Sequence, residues 1–327
     1  MSYNYDPELV PLALAFPETD ITDLGRAREL LRQQQPPFTA PESLRIEKRT
    51  VPGPPGDPDV EVCIMTPRDL TAPAPAVYWI HGGGFVLGDV DGDLHAPAHI
   101  AVSLGAVAVS VEYRLAPEHP YPAAAEDCYA GLKWMAGHAA ELGIDASRIA
   151  IAGVSAGGCL ATAVALMARD RGGPALCFQV LDIPVVDDRL QTPSMLAYTD
   201  TPCWDYPSAV LSWQAYLGPD HHGDLAPYAA PARADDLSGL PAAYVVTCEF
   251  DPLRDEGIEY AQRLIQAGVA TELHHYPGTF HGSCAAGAGT AISDRMVDDR
   301  TAALARAFGL KPAHPRPTGT QKAYGML

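Results

Sequence analysis

The chain has 327 residues, with 22 basic against 40 acidic side chains and a formal net charge of −18 at pH 7. This acidic excess argues against nucleic acid and anionic membrane surfaces as partners. Hydrophobic residues make up 47% of the chain, which is ordinary for a globular protein, and the length favours one large α/β domain with an accessory element.

The composition also bears on compartment and on metals. No basic region followed by an apolar run opens the chain, so we expect no signal peptide, and no apolar run is long enough to predict a transmembrane helix. The seven cysteines are odd in number and include no C-x-x-C pair, which argues against a disulfide framework and a zinc site. We therefore predict a cytoplasmic protein without a cysteine-based zinc site.

The first elements in chain order are a helix and three strands. Charges and leucines lie on different sides of the segment 23–31, which predicts a helix that ends at Pro36 and Pro37. Alternating apolar and polar residues predict a half-buried strand, and two further apolar runs predict strands after it. These three strands cover 44–51, 60–65 and 76–80.

From there the pattern alternates regularly between strands and helices. This order favours an α/β fold in which a mostly parallel central sheet is flanked by helices on both faces. The predicted strands cover 106–111, 149–152, 177–181, 243–248 and 271–276, and the predicted helices lie near 123–140, 155–169, 255–267 and 290–308.

Two segments do not fit the alternation, and we expect them to fold together as a helical cap over the sheet. The second contains a predicted short helix from Tyr206 to Leu217. The predicted division is an N-terminal cap segment 1–45, a first core part 46–185, a second cap segment 186–238, a second core part 239–310 and an irregular tail 311–327.

Two glycine-rich runs carry the chemistry. GVSAG at 153–157 follows a predicted strand and precedes a predicted helix, which places Ser155 on a sharp turn with its hydroxyl exposed. HGGG at 81–84 follows another strand and is the type of loop that offers backbone N–H groups to a developing oxyanion. We expect an oxyanion hole formed by the N–H groups of Gly82, Gly83 and Ala156. His81 is expected to brace this loop.

A serine nucleophile needs a base, and the base needs a carboxylate that orients it. In chain order an acid should follow a late strand and a histidine the strand after that. Asp251 and His281 fill these places, just beyond the ends of predicted strands. Glu249 is the close rival for the acid. Asp255 and Glu256 are weaker candidates, because they suit the acidic first turn of the next helix. His274 and His275 lie within a predicted strand, which disfavours them as the base.

Several further residues are candidates with weaker support. Glu118 either supports the site from behind or forms a structural pair with Arg114. Aromatic and aliphatic residues near the HGGG loop and in the cap are candidates for acyl contacts, with core packing as the alternative for each aromatic. These candidates are Phe85, Leu87, Trp204, Tyr206 and Trp213.

Four motifs in this order resemble those of the hormone-sensitive-lipase-like group of α/β-hydrolases, also called bacterial family IV esterases. They are HGGGF at 81–85, YRLAPEHP at 113–120, GVSAGG at 153–158 and DPLRDEG at 251–257. The resemblance covers nearly the whole chain. It implies a cap, hydrolysis of carboxylic esters with small to medium acyl groups, no cofactor and no metal, and it suggests homodimers. The chain departs from the group's usual pattern at Val154 and Ser283.

These observations predict a serine carboxylesterase that acts on short- to medium-chain esters. Amide or lactone hydrolysis on the same Ser155, Asp251 and His281 is the alternative within hydrolases. A non-catalytic small-molecule receptor on the same fold is the alternative outside enzymes, although such receptors typically lack one member of this set. Lipase action at an oil–water interface has no supporting apolar surface helix in the sequence.

Overall fold

The computed structural model describes residues 3–17, 20–35, 38–219 and 225–310. Within these ranges the strands are β1 (Leu44–Val51), β2 (Val60–Pro67), β3 (Ala74–Ile80), β4 (Val107–Glu112), β5 (Ile144–Val154), β6 (Phe178–Asp182), β7 (Ala242–Phe250) and β8 (Thr271–Phe280). They form one sheet in the order β1-β2-β4-β3-β5-β6-β7-β8. β2 pairs antiparallel with β1 and β4, and all later neighbours are parallel. The predicted α/β fold is confirmed.

Helices cover both faces of the sheet. In the described part of the chain they are α1 (Val10–Ala15), α2 (Leu24–Gln34), α3 (His95–Leu104), α4 (Ala123–Gly137), α5 (Ala139–Leu142), α6 (Ala156–Asp170), α7 (Pro193–Ala197), α8 (Tyr206–Leu217), α9 (Arg254–Gln266), α10 (Ser283–Ala286) and α11 (Ala291–Ala307). Buried side chains of α4, α6 and α9 join one core cluster, and those of α11 join another with part of α3.

The alternation of side chains along β3 explains how the two cores are separated. Tyr78 and Ile80 lie in the core beneath α4 and α6, whereas Val77 and Trp79 lie in the core beneath α3 and α11. All four are buried, as expected for a strand covered on both faces. Trp79 therefore stands on the α3 and α11 side, two residues before the HGGG loop.

Three details differ from the sequence prediction. β8 continues to Phe280, because Gly278 has a φ of 75° and the strand passes through the Pro–Gly pair that predicts a turn. α3 was not predicted from the sequence; its Pro97 falls in the first turn, where the missing N–H costs no hydrogen bond. The predicted helix stop at 36–37 and the tail from 311 lie outside the described residues.

Both predicted cap segments lie over the carboxyl ends of the parallel strands. Trp213 and Tyr216 of α8 pack on Phe85 of the HGGG loop, with ring centroids 5.5 and 3.9 Å from it. Arg28 of α2 reaches the same loop and donates from Nε to the carbonyl of Val86 at 2.8 Å. The division of the chain into five segments stays a prediction, and β1 begins at Leu44, slightly ahead of the boundary placed between 45 and 46.

Candidate active site

Ser155 stands on a strained turn between β5 and α6. Its backbone has φ 56° and ψ −119°, a conformation that side chains other than glycine rarely adopt. The turn is held by the Ser155 N–H, which donates to the carbonyl of Asp182 at the end of β6, 2.9 Å away. Gly157 has no room for a Cβ, because one would overlap the carbonyl oxygens of Ile80 and His81. The elbow thus directs the Ser155 hydroxyl out of the sheet edge.

His281 and Asp251 complete a hydrogen-bonded chain with this serine. The Ser155 hydroxyl lies 3.0 Å from His281 Nε2, and His281 Nδ1 lies 2.8 Å from Asp251 Oδ2. Asp251 Oδ1 accepts a second bond from the N–H of Leu253 at 2.9 Å. All three are buried, with relative exposures of 6%, 4% and 1% for Ser155, His281 and Asp251. The sequence-predicted nucleophile, base and acid are therefore brought together with hydrogen-bonding geometry.

The rival acids have other partners. Glu249 accepts from the N–H of Gly278 at 2.6 Å. Asp255 pairs with Arg254 and accepts from the N–H of Ser194. Glu256 is buried and accepts from the N–H of Val186 at 2.7 Å, and burial holds the pKa of its carboxyl well above the ordinary value. These carboxylates hold loops at the rim, so Asp251 alone of the four candidates contacts His281.

The HGGG loop passes beside the nucleophile. A Cβ on Gly82 would lie 3.5 Å from the Ser155 Cβ, so the two backbones approach closely. Gly83 has a φ of 115°, and its carbonyl accepts from the N–H groups of Val86 and Leu87. The N–H groups of Gly82, Gly83 and Ala156 donate to no acceptor within the described ranges. Their role as oxyanion donors stays a prediction.

His81 braces this loop through its side chain. Nδ1 donates to the carbonyl of Gly82 at 2.8 Å, and the ring stacks on Tyr113 with centroids 4.1 Å apart. Tyr113 in turn donates its hydroxyl to the carbonyl of His81 at 3.0 Å. Burial lowers the pKa of His81 to about 4, so the ring is neutral near pH 7, as the bracing role requires.

A cavity of about 220 Å³ opens on Ser155 and His281. Of the predicted acyl contacts, Leu87 and Trp204 line it. Phe85 and Trp213 are instead buried in the core beneath α8, where they pack on Tyr216, and Tyr206 packs at the edge of that same core. None of these three lines the cavity, so core packing is favoured for each: Tyr206 and Trp213 reach the core from α8, and Phe85 reaches it from the loop after β3.

The sequence analysis missed several residues that line this cavity. The N-terminal cap segment contributes Phe16, Pro17, Leu31 and Gln35. Trp79, Asp93, Asp182 and Arg300 line it from the other side, on the face of the sheet that carries α3 and α11. Asp182 ends a buried strand beside Ser155, a position that could have identified it as a site residue. The other three give no comparable signal in the sequence.

Of the two alternatives for Glu118, the structural pair with Arg114 does not form. Arg114 forms its ion pairs with Asp127 and Asp57, at 2.7 and 2.8 Å. Glu118 binds Arg28 of α2 through two hydrogen bonds of 2.7 and 2.9 Å, and these bonds lower the pKa of its carboxyl to about 2. Glu118 therefore supports the loops around the site through Arg28.

The two departures from the group's motifs have different surroundings. Val154 lines the cavity beside Ser155. Ser283 begins α10, where it is fully buried.

Within the described residues no cluster of three or more histidine, cysteine or acidic side chains could hold a metal ion, and no helix there is long and apolar enough to cross a membrane. Cytoplasmic location and dimer formation stay predictions.

Comparison with known proteins shows the family of the chain. A profile of the α/β-hydrolase fold matches residues 77–285, which include Ser155, Asp251 and His281. The chain belongs to this α/β-hydrolase family. The resemblance to the hormone-sensitive-lipase-like group is thereby confirmed, since its four motifs fall within the same stretch.

Several similar proteins are named as esterases. Carboxylesterase NlhH of Mycobacterium tuberculosis is 46% identical over 288 residues, which cover 85% of this chain and 88% of the relative. Esterase LipI of the same species is 40% identical and covers 84% of each chain. The solved structure titled Bacterial Heroin Esterase is 46% identical with a TM-score of 0.90, and covers 93% of this chain and 98% of its own. Esterase LipW from Mycobacterium marinum has a TM-score of 0.86 at 39% identity, with 93% and 96% covered.

Proposed function

We propose that this protein is a serine carboxylesterase that hydrolyses short- to medium-chain carboxylic esters through an acyl-enzyme on Ser155. The observation that carries the proposal is the hydrogen-bonded chain from Ser155 through His281 to Asp251, with distances of 3.0 and 2.8 Å. The cavity of about 220 Å³ beside it suits small acyl and alcohol groups. The esterase names of relatives at 46% and 40% identity add support.

The first stage forms the acyl-enzyme. Ser155 Oγ attacks the ester carbonyl carbon while His281 Nε2 takes the hydroxyl proton. Asp251 accepts from Nδ1–H, which holds the reactive tautomer and stabilises the imidazolium. The N–H groups of Gly82, Gly83 and Ala156 bind the tetrahedral oxyanion. The alcohol then leaves with the proton from His281, and the acyl group remains on Ser155.

The second stage returns the free enzyme. Water takes the place of the alcohol, and His281 removes its proton as the oxygen attacks the acyl carbon. The second tetrahedral intermediate uses the same N–H groups and collapses to the carboxylic acid, with the proton returned to Ser155 Oγ. The strained backbone at Ser155 serves both stages, because it keeps Oγ between His281 and the oxyanion loop.

Hydrolysis of p-nitrophenyl esters from acetyl to palmitoyl tests the proposal. We expect turnover of the short acyl chains by the wild type and a loss of about 10⁶-fold in kcat for Ser155→Ala, as for other triad serines. Ser110→Ala is the control, since Ser110 is a buried serine of β4 outside the cavity; it should retain normal turnover and labelling by a fluorophosphonate. Normal hydrolysis by folded Ser155→Ala would refute the acyl-enzyme.

A further inference from the structure

The cavity that opens on Ser155 is polar at one end. We call this end the polar arm and define it by Trp79, Asp93, Asp182, Val297 and Arg300, which line it on the α3 and α11 face of the sheet. The opposite wall, by contrast, is formed mainly by apolar side chains of the cap. A site for plain alkyl chains does not need buried ions, and burying them is costly unless each is well paired.

Arg300 is the least satisfied of these groups. Its side chain, on α11, is 6% exposed, and Nη1 donates to Asp182 Oδ2 at 2.6 Å. Nε is buried without an acceptor in the described part of the chain. The guanidinium also lies over the ring of Trp79, 5.4 Å from its centroid. One hydrogen bond to Asp182 leaves much of the donor capacity of this buried fork unused.

Asp93 brings an acceptor to the same arm. Its Oδ2 accepts from Trp79 Nε1 at 2.7 Å, and Oδ1 has no donor within the described ranges. Arg300 and Asp182 are both near enough to act on its charge. Burial raises the pKa of the Asp93 carboxyl to about 7, against the effect of the Trp79 bond and Arg300. The arm thus presents an acceptor and a donor to the same space.

We infer that the polar arm selects esters carrying a neutral group that both donates and accepts a hydrogen bond, such as a hydroxyl or a primary amide. An anion is disfavoured by Asp93 and Asp182, and a cation gains little because Arg300 already neutralises Asp182 in their ion pair. A neutral donor–acceptor group binds Asp93 and Arg300 together. The inference rests on the proposed esterase function and specifies which esters that site prefers.

The sign of the preference is the decisive quantity. In a purely apolar cavity a hydroxyl loses its water without compensation, so the alkyl analogue of the same size is the better substrate. In a site built to bind the hydroxyl, the alkyl analogue instead leaves Asp93 and Arg300 without a partner. We therefore expect kcat/KM to favour the hydroxyl compound by about tenfold or more at the chain length that reaches the arm.

Two substrate series locate the group within the ester. The first compares methyl ω-hydroxyalkanoates with methyl alkanoates of equal heavy-atom number, over a range of chain lengths. The second compares acetates of ω-hydroxyalkyl alcohols with the matching alkyl acetates. Preference for the hydroxyl in the first series places the arm on the acyl side, and preference in the second places it on the alcohol side.

Variants separate the arm from the rest of the cavity. Asp93→Leu should reverse the preference for the hydroxyl substrate over its alkyl analogue. Asp93→Asn retains an acceptor for Trp79 and a polar group, so it should keep part of this preference. Asp91→Asn is the matched control, because this neighbouring carboxylate is exposed and pairs with Lys48 outside the cavity. Thermal unfolding of each variant checks that the fold is intact. If Asp93→Leu is unfolded, the comparison of the two series with the wild type decides alone.

Equal rates for hydroxyl and alkyl pairs, or faster alkyl hydrolysis in both series, would overturn the inference and leave the esterase function in place. The inference would also be overturned if Asp91→Asn reversed the preference for hydroxyl substrates as Asp93→Leu does, because the effect would then not come from the polar arm. Failure of the wild type to hydrolyse any ester would instead overturn the proposed function, and the inference with it.

Discussion

The HGGG loop requires glycine at position 83, both because of its backbone conformation and because of close contacts. Gly83 has a φ of 115°, and a Cβ there would overlap the carbonyl of Leu87. That carbonyl cannot yield easily, because the loop folds back on itself through the bond from the Leu87 N–H to Gly83 O, 2.8 Å long. The turn that excludes a side chain at Gly83 thus also fixes the backbone N–H of this residue, which is a candidate oxyanion donor.

Gly83→Ala should therefore damage catalysis more than folding. We expect kcat for p-nitrophenyl acetate to fall by about 10²–10³-fold, the effect of losing one oxyanion donor. Gly56→Ala is the control, since Gly56 has a φ of 91° in a turn with no atom within 4 Å of the added Cβ. Both variants incur backbone strain, and Gly83→Ala adds the overlap with Leu87, so its melting temperature should be the lower of the two. A loss of kcat confined to Gly83→Ala, at a temperature where both variants are folded, would support the argument. A normal kcat for folded Gly83→Ala would contradict it.

At the scale of elements, two cap helices, α2 and α8, hold the HGGG loop and the residues after it from different sides. Arg28 of α2 donates to the carbonyls of Val86 and Ala116, at 2.8 and 2.9 Å, and also binds Glu118. From α8, Ser212 donates its hydroxyl to the carbonyl of Gly84 at 2.6 Å. Neither residue touches the candidate triad. Both are positioning residues, because they fix the loop that carries the candidate oxyanion donors.

Removing the Arg28 contacts should loosen this loop. Arg28→Met keeps the length of the side chain but loses all of its hydrogen bonds, and we expect kcat to fall by about 10–100-fold while KM changes less. Glu118→Gln is the matched control, since it leaves the bonds from Arg28 to Val86 and Ala116 in place and should cost much less. Steady-state kinetics with both variants decide the matter. Equal losses would show that the ion pair, rather than the loop contact, matters.

The elements could be predicted from the sequence wherever one strong local pattern decided them. The predicted strand 44–51 matches β1, because the alternation of apolar and polar residues is a local signal. The predicted helix 206–217 matches α8, because a proline in the first turn is also a local signal of a helix start. The end of β8 could not be predicted, because a Pro–Gly pair favours a turn and only pairing with β7 continues the strand. Arg300 could not be predicted either, since a charged residue in a helix is exposed in most cases.

At the scale of the whole molecule, the site depends on how five strand ends meet. His81, Ser155, Asp182, Asp251 and His281 each lie at or just after the carboxyl end of a neighbouring parallel strand. The order of chemistry along the chain could be predicted, because loops at that edge carry the ligands of open α/β sheets. Which side chains of the cap enter the cavity could not, because the packing of α8 on the sheet decides which rings face inward.

A half-buried carboxyl, Glu112, makes the stability of the whole molecule depend on pH. Glu112, at the end of β4, accepts from the N–H of Val90 at 2.8 Å and lies near Asp89, Asp91 and Lys48. Burial raises the pKa of its carboxyl from 4.5 to about 7, with the two aspartates adding to the effect. Because the folded state binds this proton more tightly than the unfolded state, the contribution of Glu112 to stability falls as pH rises from about 4.5 through 7.

Glu112→Gln should consequently stabilise the protein at pH 8 and have little effect at pH 5. The amide oxygen can still accept from Val90, and the cost of a buried charge is removed. We expect a gain of about 1–2 kcal/mol in the free energy of unfolding at pH 8, less than the full shift implies because the group is partly exposed. Urea unfolding at both pH values measures it, with the exposed Glu259→Gln as control. A gain of equal size at pH 5 would mean that packing, rather than the proton, accounts for the effect.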